Sequence, residues 1–247
     1  MAIGVALVLG GCGDDGLTAV PARPDVTSPP TSTAAVPPET TAPSGKGVVV
    51  TPAGVVVPVV ADAPEGWVVR TPCGKERTVT GGTKVASATI VLDPGHGGRE
   101  AGAVSPSGLA EAPVNLDVVG HARSVLEREG VTVAVTRTGE YQVSLDTRAE
   151  IARNLGPRAF VSVHHNAEPD GRREAPGTET YYQIGSAESK RLAGLIYEEV
   201  ARALSAYQIA WVADTDAGAK YRPGRRGDYY AVLRLPAPVT SVLAELA

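Results

Sequence analysis

From residue 88 onward, two apolar patterns take turns along the chain. Short runs rich in β-branched and aromatic residues read as strands at 89–92, 131–136, 160–163, 179–184 and 239–243. Between them, apolar residues recur at helical spacing. The 113–129 stretch carries Val114, Val118, Val119, Ala122, Val125 and Leu126, with Pro113 at its start and Gly130 after its end. A second helix is expected over 144–155, capped by Ser144. A third is expected over 188–207, with Leu192, Leu195, Ile196, Val200 and Leu204 on one face. This alternation predicts an α/β domain over 88–247, with a mixed, mostly parallel sheet flanked by helices.

The pattern changes upstream. Residues 47–87 hold short valine-rich runs at 48–50, 55–60, 67–69 and 77–79, split by turn sequences such as Pro72-Cys73-Gly74. A segment of about 40 residues makes a marginal core, so this small β-rich piece is expected to pack on its neighbour. Residues 13–46 are Pro/Thr-rich and hold no aromatic residue. Such a segment buries too little apolar surface to offset its ordering entropy, and its prolines keep it extended. It reads as a disordered linker.

The first twelve residues form an apolar run, Ala2 to Leu9, followed by Gly10, Gly11 and Cys12. A short apolar run ending in small residues looks like a secretory signal. Leu9-Gly10-Gly11-Cys12 also resembles the bacterial lipobox, in which the cysteine is acylated. That implies an exported protein, lipid-anchored through Cys12 to the outer face of the cytoplasmic membrane. Nothing in the chain approaches the ~20 apolar residues needed to span a bilayer. A net charge of -4 gives no basic footprint for nucleic acid. With Cys73 as the second of only two cysteines, no disulfide framework is expected.

The densest chemical signal is Ile90-Val91-Leu92-Asp93-Pro94-Gly95-His96-Gly97-Gly98. An apolar strand stops at a proline and glycines, and the turn presents one imidazole. Hydrolytic zinc sites use three protein ligands and leave a fourth position for water, so a second imidazole and a carboxylate are sought at neighbouring element ends. His164 and His165 both close the 160–163 strand, and period-two alternation sends them to opposite faces without saying which joins His96. Glu111 lies just ahead of the first helix. There it either points back at the strand end or simply meets the helix dipole. Glu245 sits at the mouth of the last apolar run, an unusual place for a carboxylate without a partner or a role.

Four motifs occur in order: Val91-Leu92-Asp93-Pro94-Gly95-His96-Gly97-Gly98, then Gly108-Leu109-Ala110-Glu111 with Asn115-Leu116, then Ser162-Val163-His164-His165-Asn166-Ala167, then Val242-Leu243-Ala244-Glu245. Together with Thr136-Arg137, Ser144-Leu145 and Arg148, this series resembles the zinc-dependent N-acetylmuramoyl-L-alanine amidases, bacterial enzymes that cut the stem peptide from peptidoglycan. The resemblance covers about 88–247. It implies His96, Glu111 and His164 as zinc ligands, which selects His164 over His165, and Glu245 as the catalytic carboxylate. It also implies a loop and helix after the last strand, so a chain ending at Ala247 is expected to be C-terminally short. Two other readings share these residues: a non-catalytic peptidoglycan-binding remnant of the fold, and a different zinc peptidase acting on stem peptides.

Overall fold

The computed structural model describes residues 45–166, 177–207 and 218–246. Cys12 and nearly all of the 13–46 segment lie outside the described residues. The N-terminal part of the described chain is a five-stranded antiparallel sheet. Its strands are β1 (Val48–Val50), β2 (Val56–Ala63), β3 (Gly66–Arg70), β4 (Glu76–Val79) and β5 (Thr83–Val85), in the order β4-β3-β2-β1-β5. The β5 strand escapes sequence reading because Thr83-Lys84-Val85 has one apolar residue and no run.

This sheet does pack on its neighbour. Val48 and Val56 enter the same core as Ile151, Ala152 and Leu155. The Asn154 side chain donates to the carbonyls of Gly47 (3.1 Å) and Val59 (2.8 Å). Trp67 packs against Val49, Val57, Val59 and Val69, a core position. Cys73 is exposed in its turn.

The larger part continues with β6 (Ile90–Pro94), α1 (Glu111–Arg128), β7 (Val133–Val135), α2 (Leu145–Leu155), β8 (Ala159–His164), β9 (Glu179–Tyr182) and α3 (Ala187–Ser205). It ends with β10 (Gly218–Lys220), the short hairpin β11 (Pro223–Gly224) and β12 (Gly227–Asp228), α4 (Ala231–Arg234) and β13 (Ser241–Glu245). Six strands form one sheet in the order β10-β9-β13-β8-β6-β7. All neighbours are parallel except β13 and β9. The expected mixed, mostly parallel sheet is therefore present. Among the described residues no helix is long and apolar enough to cross a membrane.

Side-chain alternation splits the core in two. Val91, Phe160 and Leu243 face α2 and α4, meeting Ile151, Leu155 and Leu233. Leu92, Val135 and Val163 face α1 and meet Val119. On that second face Thr180 also donates to the Ala193 carbonyl of α3 (3.0 Å). Ser144 caps α2 as expected, accepting from the Thr147 N–H, and Gly156 ends it in the left-handed conformation.

Helix α1 starts two residues earlier than its apolar spacing suggests. It has no side-chain cap. Instead the N–H groups of Glu111 and Ala112 donate to the carbonyls of Ala103 (2.8 Å) and Ala101 (2.9 Å) in the preceding loop. Pro113 sits in the first turn, where its missing N–H costs nothing. The loop thus extends the helix backward and makes Glu111 its first residue.

Candidate metal centre

Strands β6, β8 and β13 are mutually parallel neighbours, so their C-terminal ends lie side by side. In open α/β sheets that edge is where ligands bind. His96 follows β6, His164 ends β8 and Glu245 ends β13.

His96 has φ 58°, the only non-glycine residue with positive φ among those described. That conformation costs an L-residue about 1–2 kcal/mol, so the surroundings must enforce it. Two buried arginines do so. Arg137 donates to the carbonyls of Pro94 (3.0 Å), Gly95 (2.9 Å), Ala112 (2.7 Å) and Gly139 (3.0 Å). Arg148 donates to the carbonyls of Val143 (2.9 Å), Pro94 (2.7 Å) and His96 (2.5 Å), and to the Asp93 carboxylate (2.6 Å). Three consecutive carbonyls, 94 to 96, are therefore held by guanidinium groups. This fixes the turn that aims the imidazole.

Asp93 is fully buried and also accepts from the hydroxyls of Ser162 (2.6 Å) and Thr136. Burial by itself would raise its pKa. The Arg148 charge, with the Ser162, Thr136 and Arg148 hydrogen bonds, outweighs burial and holds the carboxyl below the usual range.

Glu111 is buried and its two carboxylate oxygens are separately engaged. Oε2 accepts from the Ala103 N–H (2.8 Å) and lies 3.2 Å from His96 Nε2. Oε1 accepts from the His165 N–H (3.0 Å) and the Asn115 amide (3.1 Å), and lies 3.0 Å from His164 Nδ1. Burial pushes its pKa up, but the contacts with His164 and His96 and the two backbone donors prevail and lower it far. His164 faces Glu111, while the His165 ring turns to Asn115 Oδ1 (2.8 Å). The alternation along β8 is thus resolved.

Two glycines make room for this convergence. A Cβ on Gly95 would lie 2.2 Å from His164 Nε2. A Cβ on Gly102, whose φ is +71°, would lie 2.4 Å from Glu111 Oε2 and 2.7 Å from His96. Gly102 had no role in the sequence reading. Its need is visible only once the loop is folded over the two ligand candidates.

The donor set suits a metal ion. The candidate ligand atoms of His96, Glu111 and His164 all lie within 4.8 Å of one another. His96 Nε2 and His164 Nδ1 each stand close to one oxygen of the Glu111 carboxylate, at 3.2 and 3.0 Å. Two imidazoles and a carboxylate are also the donor types zinc takes in hydrolytic sites.

Glu245 lies beside this trio. It is directly opposite His164 in the β13–β8 pairing and opposite Glu179 in the β13–β9 pairing. Paired residues share a face, so His164, Glu245 and Glu179 form one row across three strands. Burial raises the Glu245 pKa, His164 opposes it, Glu111 and Glu179 add to it and His96 opposes, leaving the carboxyl pushed up to about 7. Glu179 itself is ionised in a network: Lys220 Nζ lies 2.8 Å from Oε1 and the Tyr181 hydroxyl donates to Oε2 (2.7 Å). Burial works against that ionisation, and the Lys220 and Tyr181 contacts overcome it. Sequence reading gave Glu179 no role. The available signal was an acid opening a strand that turns out to be internal to the sheet.

Comparison with known proteins gives a consistent result. The N-acetylmuramoyl-L-alanine amidase family model matches residues 90–247. The uncharacterised protein YqiI of Bacillus subtilis (strain 168) is 33% identical over 164 residues, 66% of this chain and 70% of YqiI. The N-acetylmuramoyl-L-alanine amidase LytC of the same strain is 35% identical over 119 residues, 47% of this chain and 23% of LytC. The crystal structure of an N-acetylmuramoyl-L-alanine amidase from Clostridium difficile 630 superposes with a TM-score of 0.53 at 29% identity, covering 65% of this chain and 80% of that one. The chain thus spans most of YqiI but less than a quarter of LytC, and the small N-terminal sheet lies outside the family match.

Proposed function

Since the chain belongs to the N-acetylmuramoyl-L-alanine amidase family, we propose that it hydrolyses the amide between the lactyl group of N-acetylmuramic acid and L-alanine of peptidoglycan stem peptides. The observation that carries this reading is the convergence of His96, Glu111 and His164 at one sheet edge, with Glu245 in register beside them. His96, Glu111 and His164 would hold a zinc ion. Bound there, the ion supplies Lewis-acid polarisation and a water of lowered pKa.

The remaining chemistry belongs to the chain. Arg137 and Arg148 keep the His96 turn rigid, and Asn115 and the Ala103 and His165 N–H groups hold Glu111 in one orientation. Glu245 accepts a proton from the attacking water and delivers it to the departing amino group of L-alanine. Burial holds this carboxyl above the ordinary carboxylate range, which suits both halves of that transfer near neutral pH. The products are a stem peptide with a free amino terminus and a muramoyl residue with a free carboxylate.

The same reading assigns 1–12 as signal and lipobox, 13–46 as tether, 47–87 as an accessory β segment and 88–247 as the catalytic domain. Acylation at Cys12 would place the enzyme on the outer face of the cytoplasmic membrane, within reach of the wall. Mass spectrometry of the mature N-terminus tests the anchor, and an unacylated Cys12 would remove it. Digestion of purified peptidoglycan tests the activity. Release of peptides beginning with L-alanine is expected, and wall binding without release would favour the non-catalytic remnant.

A further inference from the structure

The sheet has a second feature at its opposite end and on its opposite face. Strand β9 runs from Glu179, level with Glu245, to Tyr182, level with Val242. Three residues of strand span about 10 Å. Alternation turns Tyr182 to the α3 side, away from Glu179 and Tyr181. There Tyr182, Ile184, Lys190 and Tyr221 line an open cleft of about 330 Å³.

The cleft is built of surfaces that suit a sugar ring. The Tyr182 and Tyr221 rings meet at 5.7 Å with a 55° angle between planes, forming two walls. Tyr221 and Ile184 are exposed, so apolar and aromatic area faces solvent here. The volume is that of a small ligand site.

One cation, Lys190, lines the cleft, and two more stand on the adjoining hairpin, in a chain whose net charge is -4. Lys190 Nζ stands 5.8 Å from the Tyr182 ring centroid. Arg225 and Arg226 form the turn of the β11–β12 hairpin and are exposed. That hairpin is tied to the cleft wall, because the Ile184 N–H donates to Asp228 Oδ1 (2.8 Å) and Tyr221 leads into it. Among the described residues, none of Lys190, Arg225 and Arg226 is ion-paired. Lys190 at the aromatic wall, with Arg225 and Arg226 on the hairpin tied to that wall, suits a ligand that carries an anion close to a flat saccharide face.

We propose that this cleft is a second saccharide site, which binds glycan whose sugars carry free lactyl carboxylates. The inference rests on the amidase reading for its choice of ligand. In uncleaved peptidoglycan the lactyl carboxyl is tied up in the amide. Hydrolysis of that amide leaves a carboxylate on the lactyl group that the muramoyl ring carries. The cleft therefore favours the strand that the reaction produces. A second contact with the product strand holds the enzyme beside stem peptides not yet cut.

The test is binding of a peptide-free oligosaccharide of alternating N-acetylglucosamine and N-acetylmuramic acid to the full chain, measured by fluorescence anisotropy. A control oligosaccharide has its lactyl carboxyls converted to methylamides. Saturable binding is expected, weakened about tenfold or more by the methylamide, by Lys190→Ala with Tyr221→Ala, and by Arg225→Ala with Arg226→Ala. The arginine pair is exposed on the hairpin turn and makes no ion pair among the described residues, so its replacement is expected to leave the fold intact. Stem-peptide release from a short soluble muropeptide is expected to be unchanged in both double variants. Equal binding of the methylamide, equal binding by both variants, or no binding at all would each overturn the proposal. The oligosaccharide is supplied ready-made, so binding without hydrolysis upholds this site and defeats only the amidase reading. Hydrolysis without binding does the reverse.

Discussion

Glu245 and His164 stand directly opposite each other on the parallel strands β13 and β8, their side chains on the same face of the sheet. This register is what brings a carboxyl from the end of the chain to the imidazole–carboxylate trio. Neither residue needs a loop to reach the other, so their relation is set by strand pairing and shared by every residue behind them.

Replacing Glu245 by glutamine keeps the shape and removes the proton acceptor. The turnover number is expected to fall about 10²–10⁴-fold, with metal content unchanged. In the parent, activity requires ionised Glu245 and so declines on the acid side, with a midpoint at or below about 7, because a dication next to it would favour the carboxylate. The glutamine variant should lose that acid limb. Pre-steady-state and pH-rate measurements on a soluble muropeptide check both. An unaltered rate would remove Glu245 from the mechanism.

Asp93 predicts an acid-sensitive fold. Its carboxyl is held below the ordinary range, so the folded state binds its proton less readily than the unfolded state does. The resulting stability is fully present above the ordinary carboxylate pKa of ~3.9 and is lost as pH falls through the lower folded value. Asp93→Ala leaves Arg148 buried without its carboxylate and should cost about 3–5 kcal/mol at neutral pH. Urea unfolding between neutral and acidic pH should show the variant's deficit shrinking as the parent loses its own pair. A deficit that does not change with pH would contradict this account.

Gly102→Ala tests the close approach of the loop to the ligand candidates. The added methyl meets Glu111 and His96 and must be carried at φ +71°. Metal affinity is expected to drop about 10–100-fold, the range seen when support for metal ligands is disturbed. Zinc titration by calorimetry reads this. Affinity equal to the parent would show that the loop moves aside freely.

Much of this architecture was legible in the residues. The three long helices and the strands carrying the candidate ligands follow from periodicity, because long amphipathic stretches and valine-rich runs each have one compatible structure. The Ser144 cap was legible for the same local reason. Strands β5 and β10, the β11–β12 hairpin and the short helix α4 were not. Elements of two to four residues carry no period, and their placement comes from packing on the rest of the fold. At the site, His96 was legible from its strand and glycine turn. The choice between His164 and His165 was not, since alternation gives opposite faces but no origin. Glu179, Gly102 and the carbonyl-holding role of Arg137 depend on contacts between elements far apart in the chain. They become visible only when the sheet order is known.

The most direct test of the central claim is metal-dependent product release. Purified enzyme is treated with chelator, dialysed and assayed on peptidoglycan before and after zinc is restored, with products identified by mass spectrometry. The parent should lose release of L-alanine-terminated stem peptides on chelation and regain it with zinc, and His96→Ala and Glu111→Ala should regain neither zinc nor activity. Release that survives full zinc removal, or peptides cut at any other bond, would contradict the account.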